Sequence, residues 1–431
     1  MSGFMISAAS SGSGKTVITL ALMRALKNMG IKIAPAKAGP DFIDPAFHKA
    51  AIGTESINLD CWAMRPDLVK SLSQYHTKTD KMLIVEGMMG LYDGAINGCG
   101  SSAVLAQTLD LPIVFIVDCA RQSHSVAALV KGFQSYMDGV HLSAILLNNI
   151  GSQRHEYMIR EALKPLNIPV IGAVYKNKDL NLPSRHLGLI QASEYCELES
   201  FILNAAQIIT QSVDLKTLIN LSQKRSDRYF PQTLPQFAPL GHHVAVAHDD
   251  AFRFVYPHLL NGWHAKGAEI SFFSPLNDEG PSLNCDAVYL SGGYPELYAE
   301  RLSVAVHFKK VMKAKKNEGT RIYGECGGYM VLGESIEDSN GHHHPQLGFL
   351  PLKTSFKEAK LHLGYRTLKP KSSFLGDKWF RAHEFHYASI VSQGHAQPLF
   401  EAFDALNKPL GYVGMHNKNI AGSFMHIMDI E

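Results

Sequence analysis

Short apolar runs rich in β-branched residues recur through the first half of the chain, at residues 4–6, 31–34, 82–85, 113–117, 145–147 and 170–174. Most carry no charge, which is the pattern of parallel strands buried on both faces. Between the first two runs the period changes. Ile18, Leu22, Ala25, Leu26 and Met29 fall on one helical face, and Gly30 stands where a helix stop belongs. Strands and helices alternating in this way predict a doubly wound α/β domain.

The pattern breaks at residues 221–241, LSQKRSDRYFPQTLPQFAPLG, where three prolines and several polar residues with no sustained period predict a linker. A second α/β series follows, with apolar runs at 244–247, 270–273, 287–290 and 322–323. Beyond Gly348 the residues turn β-rich and hairpin-like, ending in SFMHIMD. The expected organisation is therefore a domain over 1–220, a linker over 221–241 and a second domain over 242–431. GHHHP at 341–345 is expected to be a solvent loop, because three consecutive histidines cannot share one face around a metal.

A length of 431 residues is too great for one ordinary core and agrees with two domains. Hydrophobic residues make up 46% and charged residues 19%, which describes a globular protein with ample core. A net charge of +2, with no Lys/Arg stripe, gives no reason to expect a nucleic-acid partner. The six cysteines are scattered without a C-x-x-C pair, as in a reduced cytoplasmic enzyme. The N-terminal MSGFMISAASSGSGKT has no basic leader region, and runs such as LPIVFIVD fall far short of the ~20 residues that span a membrane. A cytoplasmic location with no membrane partner is expected.

Two stretches carry chemistry. The run ASSGSGKT, residues 9–16, follows a predicted strand and opens a predicted helix, the context of a phosphate-binding loop. Backbone N–H groups of Ser11, Gly12, Ser13 and Gly14 would cradle phosphates, Lys15 would reach the terminal ones, and Thr16 would hold Mg²⁺. Ala9 replaces the first glycine of the simple pattern. Glu86 and Asp118 both end strands, where ligands of open α/β sheets bind, and Glu86 is the favoured metal anchor because Asp93 follows on a glycine-rich loop. In KAGPDFIDPAFH, Asp41 and Asp44 suit either turn capping or a role at the same rim.

The second stretch is RIYGECGGYMVLG, residues 321–333, where Cys326 falls between a strand and a helix with Gly327 and Gly328 behind it. That is the setting of a nucleophile elbow, with a helix N-terminus expected to lower the thiol pKa. His426 in SFMHIMD is the preferred proton acceptor, with His383 and His386 of RAHEFHYAS as rivals. Gly292 and Gly293 in YLSGGYPE are candidate oxyanion donors.

Taken in order, ASSGSGKT, KAGPDFIDP, VEGMMGLYDG, LNNIGSQRH, RHLGLIQASE, YLSGGYPE, ECGGYM, HEFHY and the terminal SFMH resemble the cobyrinic and hydrogenobyrinic acid a,c-diamide synthase family. The resemblance runs nearly end to end. It implies a P-loop synthetase domain similar to dethiobiotin synthetase, joined to a class I glutamine amidotransferase domain. It further implies ATP as a substrate with Mg²⁺, no tightly bound prosthetic group, L-glutamine as nitrogen donor, a corrinoid or hydrogenobyrinate substrate, and an assembly that could be a homodimer. Lys37, Asp41, Asp44, Glu86 and Asp93 would match the synthetase site, with Thr16, Glu86 and Asp41 around the metal and Asn148 near the adenine. Cys326 and His426 would match the glutaminase pair. Class I amidotransferases carry an acid two residues after that histidine, where this chain has Met428. Readings that remain open are the same chemistry on another tetrapyrrole, as in cobyric acid synthase or a nickel-sirohydrochlorin diamide synthase. A P-loop switch ATPase with an inactive amidotransferase domain is another, although such switches carry a lysine where this chain has Ser10.

Overall fold

The computed structural model describes residues 2–185, 188–189, 191–222, 233 and 235–431. Most of the expected linker, and His186, Leu187 and Ile190 of RHLGLIQASE, lie outside the described residues. The chain divides into two compact units, one of Met1–Cys61 with Pro66–Thr233, the other of Trp62–Arg65 with Leu234–Glu431.

The first unit is built on seven strands: β1 (Gly3–Ala8), β2 (Ile33–Ala38), β3 (Ile57–Leu59), β4 (Met82–Glu86), β5 (Ile113–Asp118), β6 (Leu142–Ile150) and β7 (Val170–Tyr175). They form one sheet in the order β3-β2-β4-β1-β5-β6-β7, every pair parallel. Crossover helices bury both faces of this sheet, which explains the uncharged runs. Helix α1 (Lys15–Asn28) packs Ile18, Leu22, Ala25 and Leu26 into the core with Phe201 and Ile202. Two expectations shift here. Met29 is 49% exposed, because the helix ends one residue before it. The second strand starts at Ile33, because the Ile31 N–H closes the helix end on the Leu26 carbonyl. The three-residue edge strand β3 was too short to register as a pattern.

The second unit carries a ten-stranded sheet. Its strands are β8 (His243–Ala247), β9 (Glu269–Phe273), β10 (Ala287–Leu290), β11 (Arg321–Glu325), β12 (His362–Pro370), β13 (Phe380–His386), β14 (Gln397–Phe403), β15 (Pro409–Asn417), β16 (Ile420–Ser423) and β17 (Met425–Ile430). Their order is β9-β8-β10-β11-β16-β15-β14-β12-β13-β17. The first five are parallel and the remainder antiparallel. One residue after β16 the chain enters β17, which pairs with β13, so that His426 lies opposite His383. The histidine run is a correction: His343–Pro345 is a short strand, not a loop, pairing with Ser335–Glu337. Asp338 anchors it, 2.9 Å from His344 and 3.5 Å from His342. Among the described residues no helix is long and apolar enough to cross a membrane.

Candidate active sites

In the first unit, the loop between β1 and α1 turns through Gly12 and Gly14, whose φ angles of 79° and 88° suit glycine. Gly14 also needs to lack a side chain because Asn148 Nδ2 lies against it, donating to the Ser13 carbonyl at 3.0 Å. The Ser13 hydroxyl donates to the Ser10 carbonyl at 3.0 Å, and Lys15 Nζ folds onto the same carbonyl at 2.8 Å. Ser11 and Gly12 are exposed.

Thr16, in the first turn of α1, donates its hydroxyl to Glu86 Oε1 at 2.7 Å. Glu86, fully buried at the end of β4, also takes Lys37 at 3.1 Å and His48 Nε2 at 2.8 Å. Lys37, on β2, is bridged to Asp44 at 2.5 Å. Asp44 and His48 lie one turn apart on α2 (Ile43–Ile52), and the His48 Nδ1 edge meets the Ser56 hydroxyl at 3.0 Å. Two anions around one buried ammonium set the charges. Burial alone would pull Lys37 down, but Asp44 and then Glu86 overcome it and hold the lysine protonated. Burial pushes Glu86 up, yet Lys37 and His48 keep it ionised, below the usual carboxylate range. Asp44 carries the cost and is raised by burial and by Glu86. Lys15 is lowered to about 8 by burial and by Lys37, against the pull of Glu86, Asp44 and Asp93.

The two aspartates of KAGPDFIDP separate. Asp41 accepts the N–H groups of Ile43 at 2.9 Å and Asp44 at 3.4 Å, so it caps the start of α2, while Asp44 points to Lys37. Asp93 accepts the Gly90 N–H at 2.8 Å, shaping its loop. Asp118 accepts from Ala120 N and from Asn149 at 2.9 Å, whereas Glu86 takes the Thr16 hydroxyl.

In the second unit, Cys326 stands between β11 and the short helix α3 (Gly327–Leu332), at φ 48° and ψ −104°. A non-glycine residue at positive φ marks a strained turn, as in a nucleophile elbow. A side chain on Gly327 would reach within 2.8 Å of Pro295 and 3.1 Å of the Gly293 nitrogen, and one on Gly328 would strike the Leu290 carbonyl. The glycine pair therefore lets the loop after β10 close over the turn. Gly292 is packed instead on His426, its absent Cβ position lying 3.3 Å from Nδ1.

One expectation reverses here. The sulfur is enclosed, with Cys326 only 2% exposed and its thiol donating to the Phe385 carbonyl at 3.6 Å. Burial, then the charge of Glu296, raises the thiol pKa above its ordinary value, although the Gly327 N–H opposes the shift. The helix N-terminus does not outweigh desolvation. His426 is buried too, and burial, then His386, lowers it to about 3. Both groups are thus held neutral, a thiol and an imidazole.

The rival histidines occupy other places. His383 stacks on His426 with ring centres 4.8 Å apart and holds the Tyr256 hydroxyl at 2.5 Å. His386 bridges the Ala388 carbonyl at 3.0 Å and Glu384 at 3.1 Å. His362, Glu384 and His386 bring their ligand atoms within 4.8 Å of one another. The two imidazoles, however, lie face to face at 8°, so their in-plane lone pairs do not converge on one ion. Arg366, 2.7 Å from Glu384, already neutralises the carboxylate. This group reads as an ion-paired network.

Residues 4–190 match the CobQ/CobB/MinD/ParA nucleotide binding domain family, and residues 243–429 the CobB/CobQ-like glutamine amidotransferase domain family. A hydrogenobyrinate a,c-diamide synthase of Brucella anthropi is 53% identical, covering 100% of this chain and 99% of that protein. The chain belongs to this family. Relatives of the same name from Rhizobium meliloti and Agrobacterium fabrum are 51% and 43% identical, covering 100% and 98% of this chain and 99% and 97% of their own lengths. Membership makes the chain a glutamine-dependent amidating ligase with a P-loop domain and an amidotransferase domain, and sets aside the switch-ATPase reading.

Two buried residues of this family member escaped the sequence reading. His48 was legible in principle, since Asp44 and His48 are four apart and face the same way on a helix. Glu325, immediately before the elbow cysteine, was not. Only the fold brings its carboxylate to 3.8 Å from His426 Nδ1.

Proposed function

We propose that the chain amidates the a and c acetate carboxylates of hydrogenobyrinic acid in two successive rounds, as a step in cobalamin biosynthesis. The observation that carries this reading is the full-length match to synthases of that name, in a chain that holds both a P-loop acid cluster and an elbow cysteine. A substrate carboxylate oxygen attacks the γ-phosphorus of ATP, ADP leaves, and an acyl phosphate forms. Ammonia then attacks the acyl carbon and phosphate leaves. Lys15 and the loop N–H groups bind the phosphates, and Lys37 faces the reacting end.

Thr16 and Glu86 offer the hydroxyl and carboxylate oxygens, a hard donor set that magnesium takes, whereas the Asp41 carboxylate is engaged by the Ile43 and Asp44 N–H groups. Bound there, the ion would neutralise charge on the transferring phosphoryl group. Asn148 braces the phosphate loop through the Ser13 carbonyl, and from there would border the nucleotide base. In the other unit, Cys326 Sγ attacks the glutamine side-chain carbonyl as His426 takes the thiol proton. Ammonia departs, Gly292 and Gly293 line the oxyanion, and water hydrolyses the thioester to glutamate. Because Cys326 is enclosed, glutamine enters only when the loop after β10 or strand β13 opens.

The test supplies hydrogenobyrinic and cobyrinic acids with Mg-ATP and glutamine and weighs the products. Conversion of two carboxyls to amides on hydrogenobyrinic acid is expected, and conversion of cobyrinic acid alone would move the assignment to the cobalt corrin. Cys326→Ala should abolish glutamine use and keep amidation with ammonium salts. Retained glutamine use would remove Cys326 from the mechanism.

A further inference from the structure

The acid that class I amidotransferases carry two residues after the histidine is replaced here by Met428, fully buried. His426 nonetheless faces a carboxylate. Glu325, the last residue of β11, places Oε2 at 3.8 Å from His426 Nδ1, and both side chains are shut off from water. A buried carboxylate is costly unless its oxygens are bonded. Two groups hold this one: the Tyr289 hydroxyl at 2.8 Å and the Ile427 N–H at 3.4 Å. The Ile427 bond ties Glu325 to the residue next to His426, so the acid and the imidazole are set by the same turn of β17.

We infer that Glu325 is the positioning carboxylate of the glutaminase site, turning His426 Nδ1–H toward itself and leaving Nε2 to take the thiol proton of Cys326. The inference rests on the reading of Cys326 and His426 as the glutaminase pair. His426 is fixed from three sides: the His383 ring stacks on it, Gly292 abuts its edge, and Glu325 faces Nδ1. A separation of 3.8 Å is too long for a hydrogen bond, but such contacts tighten when the reacting complex forms. As Nε2 becomes protonated, the imidazolium gains a partner that neither stacked His383 nor nearby His386 can supply, and the proton passes on to the departing ammonia. Glu384, on β13, is the other acid in range, but it is already paired with Arg366 and His386. Glu325 thus does from the nucleophile's own strand what an acid after the histidine would do.

Burial pushes Glu325 up to about 8, against the Tyr289 and Ile427 bonds. The charge that supports His426 is therefore gained as pH rises through neutrality. The groups facing these two side chains are His383, His386 and Glu384 on the histidine, and Tyr289 and Tyr323 on the acid.

Three variants test this, each assayed with glutamine and with ammonium salts. Glu325→Gln should lower kcat for glutamine about 10²-fold, the lower end of what positioned proton transfer contributes, with KM for glutamine and the ammonia-dependent rate within about twofold. It should also flatten the acidic limb of the glutamine profile. Glu325→Asp, which keeps the charge but shortens the side chain, should retain more glutamine activity than the isosteric Gln. If Glu325 were only a packing residue, Gln would equal or exceed Asp, and that result overturns the inference. Should both variants lose ammonia-dependent turnover, Tyr289→Phe decides: losing one bond to the carboxylate moves the acidic limb to higher pH, and an unmoved limb overturns the inference. Glutamine use surviving Cys326→Ala would instead refute the underlying pair.

Discussion

Replacing Lys37 by Ala is the severest test of the acid cluster. The lysine is 4% exposed and is the ammonium shared by Asp44 at 2.5 Å and Glu86 at 3.1 Å. Its removal leaves Glu86, with no exposure, and Asp44, 7% exposed, with the Thr16 and His48 bonds to Glu86 still in place. Breaking a buried pair by deleting one partner costs about 3–5 kcal/mol, because an uncompensated charge stays behind. For a unit of this size, that corresponds to a melting temperature lower by roughly 6–20 °C. The loss should depend on pH. In the wild type, Glu86 is held below its unfolded pKa, so its contribution is present above the ordinary carboxylate range and fades as pH falls. In the variant a carboxylate is raised instead, the native state binds the extra proton, and stability is lost as pH rises. The deficit should therefore be largest near pH 8 and narrow toward pH 5. Urea unfolding of both proteins across that range measures it. A deficit under about 1 kcal/mol, or one independent of pH, would refute the view that Lys37 neutralises this cluster.

Two further outcomes follow from the second unit. Gly292→Ala places a methyl against the His426 ring and 3.2 Å from Phe254 Cβ, so it should cut glutamine-dependent amidation at least tenfold at a stability cost of about 1–3 kcal/mol; ammonia-dependent turnover should persist, and an unchanged glutamine rate would show that His426 is free to move. Stability of the chain should peak between about pH 6 and 7. Above that, the raised carboxyls of Glu325 and Glu296, each about 8, must give up protons that the unfolded chain has already lost; below it, buried His426, His383 and His258 stay neutral while their unfolded forms charge. Each unbalanced proton is worth about 1.4 kcal/mol per pH unit, and thermal melts that keep rising to pH 8.5 would contradict the assignment.

The amino-acid sequence by itself determined everything that depends on a few consecutive residues. Uncharged β-branched runs specify strands buried on both faces, and Gly12, Gly14 and Lys15 specify a phosphate loop. Cys326 before two glycines specifies an elbow, since a tight turn is chosen by the backbone freedom of the residues within it. What only the tertiary structure decided is which distant side chains share a space. Asp41 and Asp44 look alike in one dimension, yet one caps a helix and the other pairs with Lys37, because the first turn of α2 aims them differently. The state of Cys326 was not legible either. Proximity to a helix N-terminus argues for a lowered pKa, but the closing loop and strand β13 desolvate the sulfur, and desolvation wins. Glu325 is the clearest case. Its neighbour in sequence is the nucleophile, but its partner is a histidine on the last strand, brought beside it because β16 pairs with β11 and β17 follows after one residue. Local patterns encode turns and strands, whereas register and crossover decide which charges meet in low dielectric, and there the electrostatics are strongest.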